Sequence, residues 1–168
     1  MKNIYAWLVE KSPQISIYGY LKDLFRPFPE LILEYDWLLS DIDCNFFPKP
    51  LVQGDDAILT GKELLTLASN EDQPQFVWCV FSSLFPGEQV ELSKNEIYAD
   101  GNADLWNTNV RIQHESSDIE IVSFDSSLFI FLTTKTEICD KIKNTYPEGR
   151  ELVQWILDAQ SRRGSRVT

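Results

Sequence analysis

Nine side chains dominate any chemical reading of this 168-residue sequence: Asp36, Trp37, Asp41, Asp43, Asp55, Asp56, Asp100, Asp104 and Trp106. Carboxylates set among large rings are the ingredients for gripping a cationic protein surface. Long-range charge speeds encounter and selects the partner, and a desolvated indole supplies the durable contact. A basic protein is therefore the expected partner, with these nine residues as its binding set. Net charge argues the same way, at −11 from 26 acidic and 15 basic side chains. Setting aside Arg162, Arg163 and Arg166 leaves 12 basic against 26 acidic groups, a net of −14. A field of that sign repels phosphate backbones and anionic headgroups, so neither direct nucleic-acid binding nor membrane association is expected. The competing reading is that the acids serve solubility and that Trp37 and Trp106 complete the core.

Groups suited to catalysis are scarce. His114 is the single histidine, and any Ser-His-Asp or Cys-His arrangement has to use it. It stands beside Glu115 in an expected turn, with no nucleophile implied nearby. Cys44, Cys79 and Cys139 form no C-x-x-C pair and fall within expected strands or an amphipathic helix, where cysteine behaves as a small hydrophobe. Asp41, Asp43 and Asn45, and again Asp100, Asn102 and Asp104, occupy positions 1, 3 and 5 of a calcium-loop pattern. Both series fail at position 6, which needs glycine and has Phe46 or Leu105, and at position 12, which needs glutamate and has Val52 or Arg111. No glycine-rich phosphate loop is present, and Gly61-Lys62 belongs to a helix start. With so many acids, no carboxylate pair stands out as a catalytic couple. No metal, no cofactor and no catalytic residue is expected.

The elements that must position these groups follow from periodicity. Ile4 to Val9 predicts a strand; Ser12-Pro13 predicts a helix start, with Ile17, Leu21, Leu24 and Phe25 as its apolar stripe. Alternation from Leu31 to Cys44 predicts a second strand, and Phe46 to Asp56 a loop. Thr60-Gly-Lys-Glu63 matches a capping box opening a short helix. Phe76 to Phe81 has no polar alternation and predicts a strand covered on both faces. Residues 87–108 are polar and aperiodic, which makes them the expected functional loop. Val110 to Gln113, Ile119 to Ile121 and Leu128 to Leu132 predict a three-stranded meander, with a turn at Asp125-Ser126-Ser127. Helical stripes follow at Ile138, Ile142 and Tyr146, and at Leu152, Ile156 and Ala159.

The sum is an α+β fold: a single domain over residues 1–161 with a mostly antiparallel sheet, helices on one face and a C-terminal helix. A basic, frayed tail is expected over 162–168. A chain of this length buries roughly 70% of its unfolded surface and needs neither disulfides nor a structural metal for stability. The apolar run after Met1 is too short for a signal peptide, nothing reaches transmembrane length, and an odd cysteine count suits reduced thiols. The cytoplasm is the expected compartment.

Four stretches, in this order, carry a resemblance: Tyr35-Asp-Trp37-Leu-Leu-Ser40-Asp41, Gly61-Lys-Glu-Leu64, Phe81-Ser-Ser-Leu84-Phe-Pro86, and Asp118 to Leu132 around Asp125-Ser126. Over residues 31–146 they resemble a family of small acidic bacterial proteins whose general format is shared by immunity proteins of polymorphic toxin systems. The resemblance implies a non-catalytic inhibitor that blocks the basic active face of a toxin or nuclease, and it carries over no catalytic residue. Two other readings stand beside it: a structural or regulatory module, such as a DNA mimic with rows of carboxylates, and a small-ligand or carboxylate-based enzyme with its cleft between the meander and the 87–108 loop.

Overall fold

The computed structural model describes residues 3–92 and 96–164. Among these, seven strands form one antiparallel sheet: β1 (Tyr5–Val9), β2 (Asp36–Cys44), β3 (Ala57–Thr60), β4 (Phe76–Leu84), β5 (Ile119–Phe124), β6 (Leu128–Thr133) and β7 (Arg150–Glu151). Their order is β3-β2-β4-β5-β6-β1-β7. The helices are α1 (Leu21–Leu24), α2 (Gly61–Ala68), α3 (Thr136–Thr145) and α4 (Leu152–Gly164). The single α+β domain expected from the sequence is thus the one observed.

Both faces of the sheet are apolar, because its central strands carry hydrophobic side chains in both parities. Trp37, Leu39, Cys79, Phe81, Ile121, Phe129 and Phe131 face one side, where Phe25 and Leu24, Leu64, and Ile138 and Ile142 cover them from the α1, α2 and α3 segments. The rings there meet edge to face, with Trp37 4.7 Å from Phe25 and Phe76 5.1 Å from Phe81. On the opposite face, Leu8, Leu38, Val80, Val122, Ile130 and Leu132 are covered by Leu152 and Ile156 of α4 and by Ile97, Ala99, Leu105 and Val110. The last four belong to the long irregular excursion between β4 and β5. Three helices therefore share one face and α4 takes the other. It starts directly after β7, on the far edge of β1, with the Glu151 carboxylate accepting from Gln154 N–H at 2.8 Å.

Three local readings change. No helix opens at Ser12-Pro13, and only Leu21–Leu24 is helical. Gly19 takes φ +98°, and its carbonyl accepts from Phe76 N–H at 3.0 Å, so residues 12–20 bend along the end of β4 instead of coiling. Pro29–Glu34 is a 3-10 turn, and β2 begins only at Asp36. The Trp37 indole N–H donates to the Ile32 carbonyl at 3.1 Å, which ties the turn to the strand that follows it. Val110 to Gln113 forms no strand; β4 takes its place beside β5, and Val110 packs as part of the cover. The turn after β5 is where it was expected, with Asp125 and Ser126 at φ 51° and 49°. Of the basic tail, Arg162 and Arg163 belong to α4, while residues 165–168, with Arg166, lie outside the described residues.

The capping box at α2 is complete: Glu63 N–H donates to Thr60 Oγ1 at 3.2 Å, and Thr60 N–H to Glu63 Oε2 at 2.8 Å. Its first residue, Gly61, lies against the 3-10 turn so closely that a Cβ would stand 2.0 Å from the Ile32 carbonyl oxygen and 2.8 Å from Leu33 Cα. Helix propensity alone favours alanine there by about 1 kcal/mol. Packing against fixed backbone reverses the sign. Gly61→Ala is expected to destabilise the protein by about 2 kcal/mol in urea denaturation; an unchanged or raised midpoint would show that the turn yields.

Candidate functional site

The excursion from Phe85 to Asp118 must cover half a sheet without a long helix of its own, so its backbone needs acceptors from elsewhere. Three carboxylates on the sheet provide them. Asp36 Oδ2 accepts from Gly87 N–H at 2.8 Å. Asp41 Oδ2 accepts from both Ala99 and Asp100 N–H at 2.8 Å. Glu120 Oε2 accepts from Gln113 N–H at 2.9 Å, His114 N–H at 3.4 Å and the Ser82 hydroxyl at 3.3 Å, while its Oε1 accepts from Gln113 Nε2 at 3.3 Å. Gln113 carries the chain of bonds outward: its Oε1 accepts from Tyr98 N–H and Asn102 Nδ2, both at 2.9 Å.

A β-bulge aims Asp41. Between the pairs Ser40–Val80 and Asp43–Trp78, β2 contains one more residue than β4. Asp41 adopts φ 54°, a left-handed conformation that Asp tolerates better than most residues. Trp37 and Leu39 precede the bulge on the helical face and Ile42 and Cys44 follow it there, so the added residue is the one whose carboxylate reaches the excursion.

Outside these anchors the excursion forms an open concavity of about 600 Å³. Its charged lining is Glu96, Asp100, Asp104 and Arg111; Asn102, Asn107 and Gln113 add amides. The short 3-10 turn Ala103–Trp106, capped by Asn102 Oδ1 on Asp104 N–H at 3.0 Å, joins this concavity to a second one. Asp104 lines the first. Trp106 lines the second, a slot of about 400 Å³ shared with Phe124, Trp155 and Ile156, with Arg163 at its rim. Trp106 stands edge-on to Phe124 at 5.0 Å and tilted against Trp155 at 5.5 Å, leaving both indoles half-buried.

The nine expected binding residues therefore divide. Asp100, Asp104 and Trp106 meet on the excursion, with Asp41 directly behind Asp100. Asp36 is a backbone anchor at the other end of β2. Trp37 is corrected: it is wholly buried among Phe25 and Tyr35, so its ring is core and offers nothing to a partner. A strand covered on both faces has no outward side for an indole to occupy. Asp43, Asp55 and Asp56 line neither concavity; Asp43 pairs across to Trp78, and the other two precede β3. Sequence reasoning missed Glu96, Glu120 and Trp155. Glu120 could have been found as the lone ionisable residue in the otherwise apolar or hydroxyl-bearing β5, and Trp155 from its place three residues after Leu152.

Burial governs the ionisable groups inside. It pushes the Glu120 carboxyl up to about 7, against the lowering effect of the Gln113 and His114 N–H donors. It pushes the Cys44 thiol up to about 11 and the Cys79 thiol well above its ordinary value, so neither supplies a reactive thiolate. His114 Nδ1 accepts from Ser116 N–H at 3.3 Å. Among the described residues no three His, Cys, Asp or Glu side chains lie close enough together to hold a metal ion, and no helix is long and apolar enough to cross a membrane.

Comparison with protein-family models, with curated proteins and with solved structures gave no match.

Replacing Asp41 tests the anchoring. Asp41→Ala removes the one oxygen that accepts from both amides and leaves a Cβ-bearing residue without polar compensation at positive φ, an expected loss of about 2 kcal/mol. Asp41→Asn keeps a carbonyl acceptor and is expected to cost less than about 1 kcal/mol. Equal midpoints for the two variants in denaturant would show that the Ala99 and Asp100 contacts do not hold the excursion.

Proposed function

We propose that this protein is a non-catalytic binding protein that captures a basic protein surface with the outer side of its excursion, in the manner of an immunity-type inhibitor covering the cationic active face of a toxin or nuclease. One observation carries the reading: a single turn, Ala103–Trp106, presents an acid into an open acidic concavity and an indole into an aromatic slot beside it. Such a pair supplies both halves of an interface hot spot. Asp100, Asp104 and Glu96 draw in and orient lysine or arginine side chains, and the half-buried Trp106 and Trp155 offer apolar area that a partner can finish desolvating. The two wholly buried carboxyls among the described residues, Asp23 and Glu120, line neither concavity, so the reading rests on recognition and not on acid–base chemistry. A cytosolic setting belongs to the same proposal, and the three free, buried thiols are consistent with it.

The test is calorimetric titration against the product of the neighbouring gene. The expected dissociation constant is below about 1 µM, weakening about tenfold as salt rises from about 50 to about 300 mM. Asp100→Asn with Asp104→Asn is expected to slow association and flatten the salt dependence. Trp106→Ala is expected to weaken binding about thirtyfold, or about 2 kcal/mol, mainly through faster dissociation. Affinity that is weaker than micromolar and indifferent to salt overturns the proposal.

A further inference from the structure

Glu120 sits at the middle of the sheet, in register between Ser82 of β4 and Leu132 of β6, and is wholly inaccessible to solvent. Three of its four hydrogen bonds come from the excursion, from Gln113 N–H, His114 N–H and Gln113 Nε2. The fourth comes from Ser82. Gln113 in turn holds Tyr98 and Asn102, which line the acidic concavity. One carboxyl thus ties together both arms of the excursion, residues 98–102 and 113–114, and pins them to the strand.

Around it the chain provides no counter-charge. His114 contributes its backbone N–H while its ring accepts from Ser116. Arg111 and Glu115 are exposed, with Arg111 lining the concavity. Tyr98 is held through its backbone and presents an exposed ring. Asp118, at the head of β5, is engaged by Thr134 Oγ1 at 2.9 Å and Lys135 Nζ at 3.5 Å. Ser82 and Leu132 are neutral. Among the described residues no lysine or arginine nitrogen lies within salt-bridge distance of Glu120. A buried carboxylate without a cation is costly, whereas the neutral acid can remain once the 3.3 Å Ser82 contact reverses, the hydroxyl turning so that the carboxyl's own proton goes to Ser82 Oγ.

We propose that Glu120 is a pH-operated latch: with its proton on, it holds the 98–114 part of the excursion against the sheet, and losing that proton favours lifting of this cover and reshaping of the acidic concavity. The sign follows from linkage. Burial raises the carboxyl above its ordinary value in the closed form, and water restores that value once the cover lifts, so opening releases a proton. The closed form is therefore most favoured at low pH, loses ground as pH climbs from about 4.5 toward about 7, and changes no further above that. Any effect on partner capture rests on the binding function proposed above; the latch itself is read on the free protein.

Amide hydrogen exchange of the free protein across pH 5 to 8, referred to the Glu120→Gln chain, tests it. Glutamine keeps a carbonyl acceptor and an amide donor for Ser82 but has no proton to lose. The ratio of wild-type to E120Q exchange at Gln113 and His114 is expected to climb about tenfold per pH unit up to about pH 7 and then level off. Amides of β6 should show no such climb. His114→Asn should retain it; loss there assigns the titration to the imidazole and overturns the latch. Should E120Q fail to fold, the side-chain carboxyl ¹³C shift of Glu120 in the wild-type protein decides, with a midpoint near 7 expected and one near 4.5 overturning the proposal. A flat exchange ratio also overturns it, yet leaves the binding reading standing, since that is judged by salt-dependent affinity.

Discussion

A sheet that is apolar on both faces has to be covered twice, and the two covers here solve the backbone problem differently. On the helical face, α2 and α3 satisfy most of their own amides and carbonyls and need only present an apolar stripe. On the other face α4 covers only part of the area, and the remainder falls to irregular chain. Irregular chain that buries Ile97, Ala99, Leu105 and Val110 also carries N–H groups into the protein that no helix or ladder pairs. An unpaired buried amide costs about 1–3 kcal/mol, so such a cover is stable only where the sheet supplies acceptors. Asp36, Asp41 and Glu120 are those acceptors, and the path of the excursion follows their positions.

Net charge takes on a different meaning in that light. Part of the acidity belongs to the architecture: three carboxylates turn inward and bind backbone, and Glu63 completes a helix cap. Lys135 and Asp118 form a further contact at 3.5 Å that links α3's approach to β5. Glu96, Asp100 and Asp104 are different because they share the rim of one concavity and are exposed. The excess negative charge is therefore informative only where it is both exposed and convergent. By that criterion the excursion stands apart from Asp55 and Asp56, which are adjacent in sequence but converge on neither concavity.

Features governed by neighbours within a few residues were legible in the sequence. The capping box at Thr60, the turn at Asp125-Ser126-Ser127, the stripe of α4 and the fully covered strand at Phe76 each depend on local pattern, and each is present. What failed depended on distant partners. The helix expected at Ser12 gives way because Gly19 is held by Phe76, 57 residues later in the chain. β3 is four residues long, runs straight into the cap of α2, and has no turn signal to separate it. Val110 and Ile112 alternate like a strand, but the position beside β5 is taken by β4. Trp37 could not be assigned from alternation, since both parities of β2 are apolar before the bulge and period two then loses its power to tell inside from outside. Of the site, the aperiodic stretch was legible as the functional segment, because polarity without period is what an irregular cover looks like; its anchors were not, because Asp36 and Asp41 lie 51 to 59 residues away from the amides they bind and Glu120 lies beyond the stretch, inside an apolar strand.

The bulge in β2 and the carboxyl in β5 are best understood as two halves of one device. Without the added residue at Asp41, residue 41 would continue the parity of Trp37 and Leu39 and face the helical side, where a carboxylate has no amides to receive it. With it, Asp41 on β2 meets Ala99 and Asp100, while Glu120 on β5, across β4 from it, meets Gln113 and His114. Two fixed points locate an irregular segment where one would leave it free to pivot. An apolar residue at position 120 would pack with less desolvation cost but would leave the Gln113 and His114 amides unpaired and the return arm of the excursion without a register. The polar strand position thus trades stability for a defined surface, and the shape of the acidic concavity, with Asp104 on one side of its turn and Trp106 on the other, depends on that exchange.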